Sequence, residues 1–214
     1  MENTSNHTEI VHTKHKLNCK WIVWYHNPSD KSWTTDSYKD ILEIETLEDF
    51  FVLNNSWEKC LPLVSEGMFF IMRKLNNGQV IFPQWEDVNN IHGGYWSFKI
   101  DKESAQDVWF KLCSFTIGED VCKNTMESLQ VNGLSISPKK NFCIIKIWNN
   151  NSDRNETALL NDNLSFFNME EVLYSSHTKN IERDKTKQKK YESNGYFNNN
   201  KRNGRGGRMN FGRF

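Results

Sequence analysis

The chain has 214 residues, with 27 Lys or Arg, 27 Asp or Glu and a formal net charge of zero, a length that suits one domain with extensions. The neutral total hides an asymmetry, because residues 179–214 hold eleven Lys or Arg against three Asp or Glu, a net charge of +8, while residues 1–178 carry −8. The sequence has no run of roughly 18–20 apolar residues that could cross a membrane, no N-terminal secretory signal, and no C-x-x-C pair among its five Cys. We therefore expect a cytoplasmic protein, with a nuclear location left open, without a zinc site or a disulfide scaffold.

Hydrophobic periodicity and turn residues predict a chain rich in strands. Residues 1–14 are polar and without periodicity, which is typical of a disordered arm. Alternating, β-branched or aromatic runs predict strands over residues 20–25, 38–44, 68–74, 79–82, 94–100, 129–137, 142–148 and 171–174. Turn residues at 76–78 and 138–141 predict two hairpins, one joining 68–74 to 79–82 and the other joining 129–137 to 142–148.

Helix signals are fewer and separate the strands irregularly. Thr46 followed by Asp49 is typical of a capped helix start, residues 101–116 have helical apolar spacing with Gly118 as a C-terminal cap, and residues 156–161 could form a short helix. Hairpins without regular strand–helix alternation indicate the α+β class, an antiparallel sheet covered by helices on one face. The predicted domain is 15–178, and residues 179–214 are predicted to be a disordered basic tail.

The sequence favours binding over catalysis. It has no nucleophile elbow, P-loop or H-E-x-x-H, so we expect no enzyme, no cofactor and no metal site. All eight Trp lie between residues 21 and 148, and core packing explains most of them. Trp33 and Trp85 instead lie in polar turns, and Glu86 follows Trp85 directly. Loop aromatics beside a carboxylate indicate a ligand site.

Several short motifs follow one another in a definite order. They are W-x-x-W-Y in the first strand, K-S-W in the next loop, T-L-E-D-F-F at the first helix, then P-Q-W-E-D, G-G-Y-W, I-G-E-D and I-K-I-W. With these motifs the sequence resembles the eukaryotic translation initiation factor 4E family, the messenger-RNA cap-binding proteins, over roughly His15 to His177. The resemblance implies a curved antiparallel sheet with helices packed on its convex face and a cap-binding slot on its concave face.

The resemblance also implies how a 7-methylguanine base is held. Trp33 and Trp85 would sandwich the cationic base by stacking and cation–π attraction. Glu86 would accept two hydrogen bonds from the guanine N1 and N2 groups, and the backbone N–H of Trp85 would serve O6. Trp148 matches a Trp that touches the methyl group from the rim of the pocket, although it is equally consistent with the core.

The expected phosphate ligands are Lys139 and Lys140, at the tip of the second predicted hairpin. The basic positions of the family fall on Lys139, Ile144 and Tyr95, so the chain retains one of three. Lys146 is a further neighbour that could, like Lys140, offset the loss. This departure predicts a weaker or shifted grip on the phosphates and altered selectivity for the type of cap.

Two further surfaces are implied. The helix-covered face of the family binds a helical motif of scaffold or repressor proteins, and the matching positions here are His15, Leu47, Phe51 and Phe110. Three positions of this surface, Lys16, Phe51 and Ser114, depart from the usual family residues, so a different partner could have replaced the usual ones. The tail resembles RGG segments, whose Arg contact RNA phosphates, and a solvated tail without a partner is the alternative. Its candidate RNA contacts are Arg202, Arg205, Arg208 and Arg213.

The predicted function is binding of the 7-methylguanosine cap of messenger RNA to recruit it for translation initiation, by a monomer without a membrane partner. A cap-binding repressor or cap-poor homologue is one alternative. The other is an interaction module whose RNA affinity lies entirely in the tail.

Overall fold

The structure is a computed structural model that describes residues 13–187. Seven strands form one antiparallel sheet in the order β2-β1-β3-β5-β6-β4-β7. The strands are β1 Lys16–His26, β2 Tyr38–Thr46, β3 Met68–Lys74, β4 Gly94–Asp101, β5 Val131–Pro138, β6 Phe142–Asn149 and β7 Leu173–Ser176. The predicted α+β class and antiparallel sheet are confirmed.

Three α-helices interrupt the strands, and a further helical segment follows β7. They are α1 Leu47–Cys60, α2 Ala105–Ile117 and α3 Thr125–Ser128, and the C-terminal helix covers residues 177–187 of the described chain. The capped start of α1 is confirmed, since the Thr46 side chain accepts from the Asp49 N–H while the Asp49 carboxylate accepts from the Thr46 N–H. None of the helices in residues 13–187 has the length and apolarity that crossing a bilayer requires.

Side-chain alternation along the strands gives the sheet two different faces. In β3, Phe69 and Ile71 join the main core beneath α1 and α2, whereas Phe70 and Met72 belong to a smaller aromatic cluster on the opposite face. The same alternation in β6 directs Ile145 and Ile147 to the main core. The helices therefore cover one face of the sheet, and the other face carries a smaller cluster rich in aromatic side chains.

The predicted strand over residues 79–82 is wrong. β3 already pairs with β1 along one edge and with β5 along the other, so neither edge is free for a hairpin partner. Only a single bridge joins Lys74 to Val80, after which Pro83 ends any pairing. The segment becomes a loop, and this places Trp85 beside the aromatic face.

The prediction of disorder from Lys179 does not hold for residues 179–187. These residues are helical, and Asn180 is buried with its side chain between Ser175 and the hydroxyl of Tyr95. Composition misses this helix because polar contacts, rather than an apolar stripe, attach its first turn. The remaining tail and residues 1–12 lie outside the described residues, so the predicted N-terminal arm and tail stay predictions.

A buried ion pair joins the centre of the sheet to the end of α2. The Arg73 guanidinium on β3 donates to the Glu119 carboxylate at 2.6 Å and to the carbonyl oxygen of Val131 at 3.0 Å, and it stacks over the Trp21 ring. Glu119 has φ 56°, a left-handed conformation that only a well-supported non-Gly residue adopts. The ion pair and its strained residue thus fix how α2 ends against the sheet.

Candidate ligand-binding slot

The loop between β1 and β2 presents Trp33 with one ring face covered. His26 stacks on Trp33 with the ring centroids 4.2 Å apart and the planes at 6°. His26 is itself buried, and its Nε2 lies 2.8 Å from the Ser32 carbonyl oxygen, which requires that Nε2 carries the proton. Trp33 remains 52% exposed, so a planar ligand can stack on its other face.

The loop after β3 holds Trp85 through a dense set of hydrogen bonds. The Asn90 amide, which is fully buried, donates to the carbonyl oxygens of Phe82 and Gln84 at 2.8 Å each. The Asp87 carboxylate accepts hydrogen bonds from the backbone N–H groups of Phe82 and Asn89. Gln84 also donates through its side chain to the Trp33 carbonyl oxygen. This last bond ties the two Trp loops to each other.

Glu86 is exposed on the Trp85 loop, and its carboxylate is unpaired among the described residues. Within residues 13–187 it forms no ion pair and no hydrogen bond, unlike its neighbour Asp87, which holds the loop. Its charge reaches the aromatic layer, because burial and then the Glu86 carboxylate raise the pKa of Tyr38. The backbone N–H of Trp85 likewise donates to no described group. The slot therefore offers one acceptor and one donor side by side.

Trp148 lies below the slot rather than at its rim. Its side chain is in the smaller aromatic cluster, the residue is 2% exposed, and the indole N–H donates to the Ser135 hydroxyl at 2.9 Å. Tyr95 and His177 pack over it, with the His177 ring centroid 4.7 Å away. The structure thus supports the core interpretation, and a ligand contact by Trp148 stays a prediction.

Trp148→Phe is expected to lower the free energy of unfolding by about 1–3 kcal/mol, because it removes the buried indole–Ser135 hydrogen bond and part of the ring volume. Trp33→Phe, at an exposed position, is the matched control and is expected to change stability by less than about 0.5 kcal/mol. Urea unfolding measures both. Equal stability losses in the two variants would contradict the buried role of Trp148.

The hairpin between β5 and β6 is confirmed, and both predicted phosphate ligands lie exposed at its tip. The Lys139 N–H donates to the Phe142 carbonyl oxygen at 2.8 Å, which closes the turn. The Lys140 side chain projects into solvent. These two cations therefore lie in solvent at the end of the sheet where β6 begins.

The C-terminal helix closes the other end of the slot. Its first residue, His177, is fully buried, and neither ring nitrogen has a hydrogen-bond partner among the described residues. Burial and the neighbouring Lys146 ammonium lower the pKa of His177 to about 3, so the ring is neutral near pH 7. The backbone N–H of His177 donates to the Gly93 carbonyl oxygen at 3.0 Å, which attaches the start of this helix beside β4. No motif in the sequence points to His177, although this residue ends the segment that carries the resemblance.

The four predicted partner-binding residues lie around α1 and α2 on the opposite face. His15 contacts the Glu48 carboxylate through both its backbone N–H and its ring. The carbonyl oxygen of His15 accepts a hydrogen bond from the Leu47 N–H. Leu47 and Phe51 are exposed, the latter to 57%. Phe110 is only 9% exposed and packs in the main core, where it contributes an edge of a cleft between the helices. The four predicted tail residues (Arg202, Arg205, Arg208 and Arg213) lie outside the described residues.

The fold and site together define a class of proteins in which a curved antiparallel sheet carries helices on one face and an aromatic binding slot on the other. The sequence profile of the family "Eukaryotic initiation factor 4E" matches residues 16–192, most of the chain. The chain belongs to the eukaryotic initiation factor 4E family.

Comparison with individual proteins agrees with this assignment. The chain is 30% identical to eukaryotic translation initiation factor 4E of Eremothecium gossypii over 140 residues, which are 63% of this chain and 62% of that protein. Two solved structures share the fold. They are Ascaris suum eIF4E-3 in complex with m7G cap (TM-score 0.55, 23% identity, 66% of this chain and 77% of that one) and C. elegans eIF4E-3 in complex with the 4E-binding protein Mextli and a cap analog (TM-score 0.60, 19% identity, 79% and 96%).

Proposed function

We propose that this protein binds the 7-methylguanosine cap of messenger RNA and recruits capped messenger RNA for translation initiation, without chemical conversion of its ligand. One observation carries the proposal. Trp33 has a free ring face, its loop is hydrogen-bonded to the Trp85 loop, and the unpaired Glu86 carboxylate lies beside them. Membership of the family and the cap complexes of its structural neighbours support the same ligand class.

The slot reads the base by charge and by hydrogen bonds. A 7-methylguanine ring is a delocalised cation, and each indole face contributes about 0.5–2 kcal/mol of cation–π attraction beyond stacking. The Glu86 carboxylate accepts from N1 and N2 of the base, and the free N–H of Trp85 donates to O6. Trp148 supports this arrangement from below as the packed floor of the slot.

Titration with 7-methylguanosine triphosphate is expected to quench Trp fluorescence, with an affinity on the order of tenfold or more above that for GTP, which lacks the cationic term. Glu86→Gln is expected to lower the affinity for 7-methylguanosine triphosphate by about 10- to 100-fold, because the charge-assisted hydrogen bonds to the base are lost. Glu103→Gln, which alters an exposed carboxylate near α2, is the matched control and is expected to leave the affinity unchanged. Equal affinities for the two nucleotides would reject cap recognition.

The remaining predicted surfaces fit this function. An amphipathic helix of a scaffold or repressor protein would dock on the exposed Leu47 and Phe51 and the edge of Phe110, as an apolar contact in a groove. The solved complex of the C. elegans neighbour with Mextli supports a protein partner of this kind. Lys139 and Lys140 would reach the outer phosphates, and the Arg residues of the tail would contact RNA beyond the cap. A cytoplasmic location follows from this role.

A further inference from the structure

Lys146 is a cation in the slot, and it forms no ion pair with any residue that the structure describes. Its backbone pairs with Ser97 on β4 and Ser135 on β5, in the middle of the sheet face opposite to the helices. Lys146 and Trp148 are two residues apart on β6, so both side chains point to this face. Of the carboxylates in residues 13–187, none forms an ion pair with Lys146.

Aromatic rings are the groups that hold the ammonium. The Nζ atom lies 4.0 Å from the ring centroid of Tyr95 and 5.7 Å from that of Trp85. Cation–π contacts of this kind are worth about 0.5–2 kcal/mol each, less than a hydrogen-bonded anion provides in a half-buried site. The contact with Trp85 places the charge at the indole on which the ligand base stacks.

The other neighbours of Lys146 disfavour its charge. Burial and the positive charge of Lys139 lower the pKa of Lys146 to about 8. The facing groups are the neutral His177 on the C-terminal helix, the hydroxyl of Ser135 and the Tyr95 ring, whereas the Glu86 carboxylate acts on Tyr38 instead. An ammonium held in this way gains more from an incoming anion than a solvated lysine does.

We propose that Lys146 binds the phosphate nearest to the stacked base, and that it takes over the role of the basic positions that Ile144 and Tyr95 no longer fill. Lys146 is suited to this role because it lies between them, two residues from Ile144 on the same face of β6 and in contact with Tyr95. Lys139 and Lys140, at the exposed hairpin tip, serve the more distant phosphates. The inference rests on the proposed cap-binding function. It adds that the phosphate next to the nucleoside contributes most of the phosphate affinity.

The test compares 7-methylguanosine, its 5′-monophosphate and its 5′-triphosphate by calorimetry on the full chain and on Lys146→Met, which keeps the length and apolar stem of the side chain. In the wild type, the first phosphate is expected to raise affinity by about 10- to 100-fold, as a charge-assisted hydrogen bond does. In Lys146→Met this step is expected to fall to less than about threefold, while the gain from monophosphate to triphosphate is retained. Lys99→Met, which removes another lysine that lies over an aromatic ring on this face, is the matched control and is expected to keep the first-phosphate step.

A pH series on the wild type tests the inference without any substitution. Phosphate binding stabilises protonated Lys146, so the affinity ratio of monophosphate to nucleoside is expected to be largest between about pH 7 and pH 8, where the phosphate is a dianion, and to decline as the pH rises above about 8. Any ionisation of the base cancels in this ratio. Lys146→Arg, which keeps a charge at high pH, is expected to flatten the decline.

The outcomes separate the inference from the function on which it rests. A first-phosphate step that survives Lys146→Met unchanged, with the cap ligands still bound, would overturn the role of Lys146 and leave cap binding intact. A wild-type ratio that stays constant up to pH 10 would do the same. Absence of binding by all three ligands would overturn both.

Discussion

Trp33→Ala and Trp85→Ala are each expected to weaken binding of 7-methylguanosine triphosphate by on the order of 10- to 1000-fold. Stacking of a base on an aromatic side chain is worth about 1–3 kcal/mol by Ala substitution, and the cationic base adds about 0.5–2 kcal/mol per ring. Because the base would lie between two indoles, removal of either ring also exposes one face of the base to water. Isothermal titration calorimetry measures the loss directly.

Stability measurements keep this result interpretable. Trp33 is 52% exposed and contacts mainly His26, so Trp33→Ala is expected to change the free energy of unfolding by no more than about 1 kcal/mol. Val88→Ala removes another exposed apolar side chain from the Trp85 loop and serves as the control for loop disturbance. If Val88→Ala lowered the affinity for the ligand as much as Trp85→Ala does, the Trp85 indole would not be the group that stacks on the base.

Glu119→Ala is expected to lower the free energy of unfolding by about 3–5 kcal/mol, measured by urea denaturation. The side chains of Arg73 and Glu119 are 7% and 4% exposed, so loss of the carboxylate leaves a buried guanidinium uncompensated. Glu119 also accepts from the Asn18 amide, which would lose its partner. Few single substitutions in this domain would remove so many buried polar contacts.

Two further variants distinguish charge burial from simple loss of packing. Asp107→Ala breaks an exposed ion pair with Lys111 on the same helix and is expected to cost about 0.5 kcal/mol or less. The double variant Arg73→Leu/Glu119→Ala removes both charges and is expected to recover much of the stability lost in Glu119→Ala. A double variant as unstable as the single one would show that shape, rather than the unpaired charge, dominates at this position.

Local sequence patterns predicted the elements that local forces determine. Seven of the eight predicted strands recur within a few residues as β1 to β7, because β-branched and aromatic runs alternate between two faces. The start of α1 was predictable from Thr46 and Asp49, whose reciprocal hydrogen bonds need no distant partner. The last strand lies at Leu173–Ser176, two residues later than predicted.

The predictions that were wrong concern elements that depend on contacts between distant parts of the chain. Residues 79–82 have strand propensity, yet β3 has no free edge for them because β1 and β5 occupy both. The helix over residues 177–187 is held by the burial of His177 and Asn180 against β4, which composition does not show.

The sequence by itself indicated a ligand site, through two loop Trp and a neighbouring carboxylate, and its family motifs indicated the class of ligand. It also determined which side chains share a face of β4 and β6, because alternation along a strand is local. Only the tertiary structure decided that Trp148 is buried, that His177 packs over it and that Lys146 contacts aromatic rings without an ion-pair partner in residues 13–187. The reason is physical: burial and charge neighbours are set by elements that are far apart in the chain and meet only in the folded sheet.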